Sequence, residues 1–535
     1  MIHKDSEKTA IAGNILNKHV ILFILLVILI ASAILRFYQI DLNGMWVDES
    51  NTVIISEKNP VEIIKALKHD ASPPLFYGML HFWMLLFGQS ETAIRALSAF
   101  FGIILTGFLY VTGTELFNRK TGLFAAIFCS VSPLQIMYSQ QARMYTLLPL
   151  AGLLSMHFFI KFSKTNNRKD LILYLLFSIC TVFTHHYGFL LIPVQFILVM
   201  FLGNKKIKTA LLGAIIFGAI IKYKLWMPKI IGLFKPEKAD VESWMAFFWE
   251  QYGFFGSQLK SFESFTPGGQ TPPYVAMNSM AWQPLLPVIV CILLLGLSLT
   301  PLILYKKHTK NERESIIWML LYGFLPLFAA AVYSLLFKPV YLAGRCDQIV
   351  FPAFCLIFGS GIYHLRNGYA QYLSIGIIIT CSFFTLNTYY TTDAMPGDRL
   401  IAKTVIDNIK PGDSIICTSL TRASLQYYLR DKKNEVTLYS FPLENEKHLA
   451  WHKPDRYLVK PQILSQDAES IENKISNVKN GNGRLMIIYE DHPINKYLIN
   501  YFADKITPST LKASGWFRQS VMNTPAKILM MELKQ

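Results

Sequence analysis

The sequence predicts a polytopic α-helical membrane protein with a small C-terminal α/β domain. Three observations carry that prediction. Of the 535 residues 52% are hydrophobic and 16% charged, with a mean hydropathy of +0.34, far from a soluble globular chain. Apolar runs of spanning or near-spanning length follow one another through short links, and every second link is basic. After Asn387 the apolar runs stop, and the composition becomes that of a soluble domain of about 150 residues.

The same composition narrows the function. A net charge of +16 in so apolar a chain is accounted for by Lys and Arg held in cytoplasmic loops, so no nucleic-acid partner is expected. Cys129, Cys180, Cys291, Cys355 and Cys381 lie in apolar runs, and Cys346 and Cys417 have neither metal-ligand nor disulfide spacing. Cysteine chemistry is not the expected function.

Taken in order, the chain opens with a polar stretch carrying Lys4, Lys8 and Lys18, then the run Val20 to Leu35. This reads as an uncleaved anchor with a cytoplasmic N-terminus, because the apolar run reaches the cleavage-like Ala31-Ser32-Ala33 without a polar break. Residues 36–94 form a first outer loop. Within it Asn59-Pro60 caps a short amphipathic helix bearing Val61, Ile64 and Leu67, suited to the membrane interface. The apolar segment Pro73 to Gly88 follows. If it crossed, every basic link from Arg119-Lys120 onward would fall outside, against the rule that positive charge stays inside, so it is expected to be re-entrant or in-plane.

The expected crossings are then 20–36, 95–114, 121–138, 146–162, 171–185, 188–203, 209–222, 284–304, 316–336, 349–364 and 371–386. About eleven transmembrane helices result, and the same parity places loop 36–94, loop 222–283 and the C-terminus on one outer face. Residues 1–386 form the membrane domain and 387–535 an extracytoplasmic α/β domain. In the latter, Asp398 to Ile409 and Thr421 to Leu429 read as helices, Ser414 to Cys417, Glu435 to Tyr439 and Leu485 to Tyr489 as strands, with two further strands closing the chain.

Against that frame, Asp48-Glu49 is a pair of adjacent carboxylates just past the first span. Such a pair is either an ordinary solvated loop or a functional site, since a carboxylate at a wet interface can accept a proton from a nucleophile. Its neighbours decide between them. Asp48-Glu49, Pro73-Pro74-Leu75 with Phe87-Gly88, Arg95-Ala96-Leu97-Ser98-Ala99, and Tyr138-Ser139-Gln140-Gln141-Ala142-Arg143-Met144-Tyr145, in this order and spacing, resemble the GT-C glycosyltransferases of the protein O-mannosyltransferase type, family 39. The lipid A aminoarabinose transferases are similar. The motifs cover roughly the first 150 residues, and the remainder agrees in layout.

The resemblance implies transfer of a sugar from a polyprenyl-phosphate donor to a protein, lipid or glycan acceptor at the outer membrane face, with inversion. Asp48 is the implied base, and Glu49 orients the acceptor or a basic side chain, or faces water. Arg143, in a short outer turn between Tyr138 and Tyr145, is a donor-phosphate ligand, since arginine can grip a phosphate with two parallel hydrogen bonds. Arg345 is a further cation for the leaving group or an interfacial anchor, and Arg95 a functional contact or a snorkelling arginine. His69 stands where relatives place a polar or basic residue near the phosphate, and equally suits a helix C-terminus.

Two departures from the family pattern bear on this site. Gln141 stands where Glu is common, and Cys346 where Tyr follows the arginine. Tyr138, Tyr145, Gln141 and His186 are the substrate-binding candidates. His185-His186 is a weak metal signal, because adjacent side chains diverge and no carboxylate lies nearby in sequence. No cofactor is expected, with a divalent metal left open. The alternative function is a polytopic transporter or lipid flippase, whose mark would be charges or broken helices at the bilayer midplane. The expected location is a bacterial or archaeal plasma membrane, with membrane lipid as a further partner.

Overall fold

The structure is a computed structural model describing residues 2–67, 72–202, 204–216, 243–267, 285–305, 308–391, 396–446, 449, 457, 462–476, 484–490, 493–503, 506–516 and 525–533. These residues fall into two compact units. One comprises 1–40 with the described residues from 95 to 388, the other 41–94 with 389–535.

The first unit is a bundle of apolar helices. It contains α1 (Ile2–Phe37), most of α5 (Glu91–Leu116), α6 (Arg119–Val131), α7 (Pro133–Ser139), α8 (Leu147–Thr165), α9 (Arg168–Thr184) and α10 (Leu191–Met200). Helical residues 205–216 (α11), then α12 (Ser243–Phe265), α13 (Leu285–Ile303), α14 (Lys310–Leu336), α15 (Phe351–Tyr363) and most of α16 (Gly368–Thr391) complete it. Each of the eleven segments expected to cross contains helix. Among the described residues, five helices are long and apolar enough to span: His19–Phe37, Glu91–Leu116, Lys310–Leu336, Cys346–Tyr363 and Gly368–Thr391. A sixth span arises if the bent pair α6–α7 counts as one.

That bend departs from the straight crossing expected over 121–138. A residue before proline is pushed out of the helical region, and Ser132, preceding Pro133, is extended at φ −62° and ψ 116°. The axis turns by 60° there. Several helices start on side-chain caps, with Asn118 accepting from Thr121 N at 3.0 Å and Thr309 forming a reciprocal capping box with Glu312. α5 and α6 cross closely at Gly113 and Gly122, where a Cβ on Gly113 would sit 2.7 Å from the Gly122 Cα. Larger residues would force these helices apart.

The second unit joins residues 41–94 to the C-terminal residues. Its loop portion holds α2 (Val47–Ser56), α3 (Pro60–Leu67) and α4 (Leu75–Phe87). Asn59 caps α3 through its side chain, accepting from Glu62 N at 3.0 Å. Of the apolar stripe read for α3, Leu67 is buried and Val61 and Ile64 are exposed, with Ile63 taking the second inward place. α4 is two-faced: Phe76, Tyr77, Leu80 and Met84 are buried, whereas Phe82, Leu85 and Leu86 are exposed. At 13 residues it rises about 20 Å, short of the roughly 30 Å hydrocarbon core.

The C-terminal portion is a five-stranded mixed sheet in the order β2-β1-β3-β5-β4, from β1 (Ser414–Thr418), β2 (Thr437–Phe441), β3 (Leu485–Glu490), β4 (Ile506–Trp516) and β5 (Pro525–Leu533). β1 runs parallel to β2 and β3, and β5 antiparallel to β3 and β4. A parallel strand covered on both faces is buried throughout, and all five residues of β1 are buried, the apolar Ile415, Ile416 and Cys417 at its centre between Ser414 and Thr418. Ile415 and Cys417 pack with Ile401 and Val405 of α17 (Pro396–Asn408) and Leu425 of α18 (Thr421–Tyr428). Ile416 faces Ala468 and Ile471 of α19 (Gln462–Ser476) and Leu498 of α20 (Pro493–Ala503). Buried Asp413, at the head of β1, accepts from Arg484 Nη2 at 2.8 Å at the head of β3. Burial pushes its carboxyl upward, but the Arg484 guanidinium and two backbone N–H groups outweigh that and hold it below the usual range.

Candidate active site

The first unit gathers one cluster around Tyr145. Pro133 opens α7, which ends at Ser139, and a tight turn then carries Arg143, whose N–H donates to Gln141 O at 2.7 Å. Tyr138 and Tyr145, on either side of the turn, meet in a tilted pair with ring centroids 4.7 Å apart, both buried. Tyr138 Oη donates to Gly344 O at 2.5 Å, fastening α7 to the loop before α15. In that loop Gly344 takes φ +73°, a left-handed backbone that glycine adopts without strain, and its N–H donates to Asp347 Oδ2 at 2.9 Å. The arrangement presents Arg345, whose Nε donates to Tyr145 Oη at 2.7 Å.

Two guanidinium groups therefore meet one aromatic ring. Arg345 Cζ lies 5.5 Å and Arg143 Cζ 5.8 Å from the Tyr145 centroid. Arginines 202 positions apart, Arg143 buried and Arg345 half-buried, are brought together on one aromatic ring, an arrangement suited to a phosphate. His185 borders the cluster, its ring 6.5 Å from Tyr145. His185 caps the short 3-10 helix His186–Leu190 by accepting from Tyr187 N at 3.1 Å, and the His185 and His186 rings stand 6.4 Å apart.

Arg95 does not snorkel. It is buried at 1% exposure and donates to Ile40 O at 3.0 Å, holding the chain just beyond α1. Snorkelling needs a free path to the interface, and the helix packing around Arg95 closes it. Gln141 is half-buried in the turn, its carbonyl taken by Arg143 N. His69 lies outside the described residues.

In the second unit Asp48 and Glu49 occupy the first turn of α2, where carboxylates favour the exposed N–H groups of the helix start. Glu49 is buried and Asp48 half-buried. The strand of chain entering α2 is clamped by C-terminal residues. Tyr428 Oη accepts from Met45 N at 2.8 Å and donates to Glu91 Oε1 at 3.0 Å. Arg399 Nη2 donates to Asp41 O at 2.6 Å and pairs with Glu91 Oε2 at 2.6 Å. Burial lowers the Arg399 pKa, but the Glu91 carboxylate overcomes this and raises it. Burial, then the Glu91 charge, pushes the Tyr428 hydroxyl up.

Sequence reasoning missed these clamping residues, and it missed Arg36. Arg36 is fully buried, and its hydrogen bonds include Nε to Ser139 Oγ at 3.1 Å, Nη1 to Ser32 Oγ at 2.7 Å, Ser32 O at 3.2 Å and Ser130 O at 3.1 Å, and Nη2 to Cys129 O at 3.1 Å. The break before Pro133 strips the last carbonyls of α6 of their helical partners, and Arg36 supplies them. Room for it comes from Gly102, where a Cβ would lie 2.6 Å from Arg36 Nε. The one signal in sequence is an arginine directly ending the first apolar run.

The profile of the dolichyl-phosphate-mannose-protein mannosyltransferase family matches residues 71–226. No curated protein sequence matches the chain. Over residues 71–226 the profile, and over the whole chain the fold, are similar to membrane glycosyltransferases of the GT-C type. Within that type it resembles ArnT: the crystal structure of ArnT from Cupriavidus metallidurans bound to undecaprenyl phosphate superposes with a TM-score of 0.57 at 13% identity, covering 94% of this chain and 97% of that one. The apo ArnT structure gives 0.57 at 12% identity with the same coverage. The Archaeoglobus fulgidus oligosaccharyltransferase tethered to an acceptor peptide gives 0.51 at 10% identity, covering 88% of this chain and 69% of that chain.

Proposed function

We propose that this protein is a membrane glycosyltransferase that moves a sugar from a polyprenyl-phosphate donor to a protein, lipid or glycan acceptor at the outer face of a plasma membrane. The observation that carries it is the convergence of Arg143 and Arg345 on Tyr145 within a GT-C fold. Two cations are what a departing polyprenyl phosphate needs, and undecaprenyl phosphate is the molecule bound to ArnT.

In the reaction the acceptor O–H or N–H gives its proton to the Asp48 carboxylate and its electron pair to the anomeric carbon. The bond from that carbon to the phosphate oxygen breaks, and the pair leaves on the phosphate facing Arg143 and Arg345. A single in-line displacement inverts the anomeric centre. Half-buried Asp48 retains access for an acceptor, whereas buried Glu49 suits an orienting role. Tyr138, Tyr145, Gln141 and His186 border the donor. About eleven crossings place residues 387–535 outside.

The test is transfer of labelled sugar from polyprenyl-phosphate donors to candidate acceptors by membranes containing the protein. Wild type should transfer, Asp48→Asn should slow turnover by about a hundredfold or more with donor binding intact, and Glu49→Gln should be milder. Full transfer by Asp48→Asn with none by Glu49→Gln would move the base one residue along. Absence of transfer across donors and acceptors by well-inserted protein would overturn the reading.

A further inference from the structure

Away from the arginine pair, the described residues contain a second constellation of chemical groups: His308, Glu312 and His364, whose potential ligand atoms all lie within 4.8 Å of one another. His308 immediately precedes Thr309, the cap of α14, Glu312 is in the first turn of α14, and His364 directly follows α15. The two imidazoles meet edge to face with centroids 4.5 Å apart, and His308 Nδ1 stands 3.7 Å from Glu312 Oε2.

Each group is held as a ligand would be. His364 Nδ1 is engaged with Ser360 O at 2.7 Å, the backbone-carbonyl partner that orients a ligating imidazole and turns Nε2 toward the metal. Glu312 Oε2 accepts from Thr309 N at 2.9 Å and Thr309 Oγ1 at 3.0 Å, so the capping box fixes the carboxylate. His308 is buried, and its Nε2 has no hydrogen-bond partner. A buried imidazole nitrogen left unsatisfied is costly unless something coordinates it.

We propose that His308, Glu312 and His364 bind one divalent transition metal of the zinc type, with water as the fourth ligand. Two imidazoles and one carboxylate favour such an ion over magnesium or calcium, which prefer all-oxygen shells. The metal ties the link before α14 to the end of α15, the helix whose opposite end follows Arg345 and Asp347. Its binding is independent of the glycosyl-transfer reading.

The experiment uses untagged full-length protein in detergent, stripped with chelator and titrated with Co²⁺. One equivalent should bind with visible d–d absorption, and Zn²⁺ should displace it. His308→Ala, His364→Ala and Glu312→Gln should each weaken binding by at least about tenfold. Chelator should lower the melting temperature of the wild type and leave that of His364→Ala unchanged. No Co²⁺ absorption by the wild type would overturn the site without any variant having to fold. Equal stoichiometry and affinity in wild type and all three variants would overturn it as well.

Discussion

At the scale of single residues, what distinguishes Arg143 and Arg345 from other basic side chains in the described residues is their shared ring. A surface lysine attracts an anion weakly and without direction, whereas two planar guanidinium groups lie within 6 Å of the Tyr145 centroid, and a guanidinium can grip a phosphate with paired donors. Arg143→Lys keeps the charge and loses the fork, and Arg143→Ala loses both. Donor affinity, measured as KM for the polyprenyl-phosphate sugar, should worsen from wild type to lysine to alanine, with alanine costing about tenfold or more. Equal KM and kcat in all three proteins would remove Arg143 from the donor site.

At the scale of elements, the break between α6 and α7 is set up locally and completed from a distance. Pro133 ends α6, and the freed carbonyls of Cys129 and Ser130 would be intolerable in hydrocarbon without Arg36. Arg36→Met removes the donors while keeping much of the volume. It should destabilise the protein by about 2–4 kcal/mol, from buried acceptors left unmatched, read as a lower melting temperature in detergent. Arg36→Lys should recover part of that loss, because an ammonium reaches fewer of the acceptors. An unchanged melting temperature for Arg36→Met would show that the carbonyls find other partners. The entry to α2 follows the same logic, since its backbone groups at 41–45 are held by Arg399 and Tyr428, which belong to α17 and α18.

At the scale of the whole molecule, the alternation of basic links predicts one topology. α4 keeps the expected in-plane or re-entrant reading from that parity, and its exposed Phe82, Leu85 and Leu86 suit lipid contact along one face. A tag after Gly88 and another after Gln535 should therefore react with an impermeant reagent added outside intact cells, while tags near Lys120 and Lys206 should stay protected. A protected Gly88 would overturn the parity argument and move every later loop.

The sequence by itself determined the class of the fold, the apolar segments, the strands β1 to β3 and the caps at Asn59 and Pro60. These follow from local periodicity, charge bias and turn chemistry, which act within a few residues of the chain. It also pointed to Asp48, Arg143 and Arg345 one at a time, through motif order. Only the tertiary structure decided that Arg345 shares Tyr145 with Arg143, that Arg95 is buried, and that 121–138 is bent and held by Arg36. It alone grouped 41–94 with the C-terminal residues, through Arg399 and Tyr428. Each of these depends on partners tens to hundreds of positions apart, and a hydrogen bond between such residues leaves no periodic trace in the sequence that makes it.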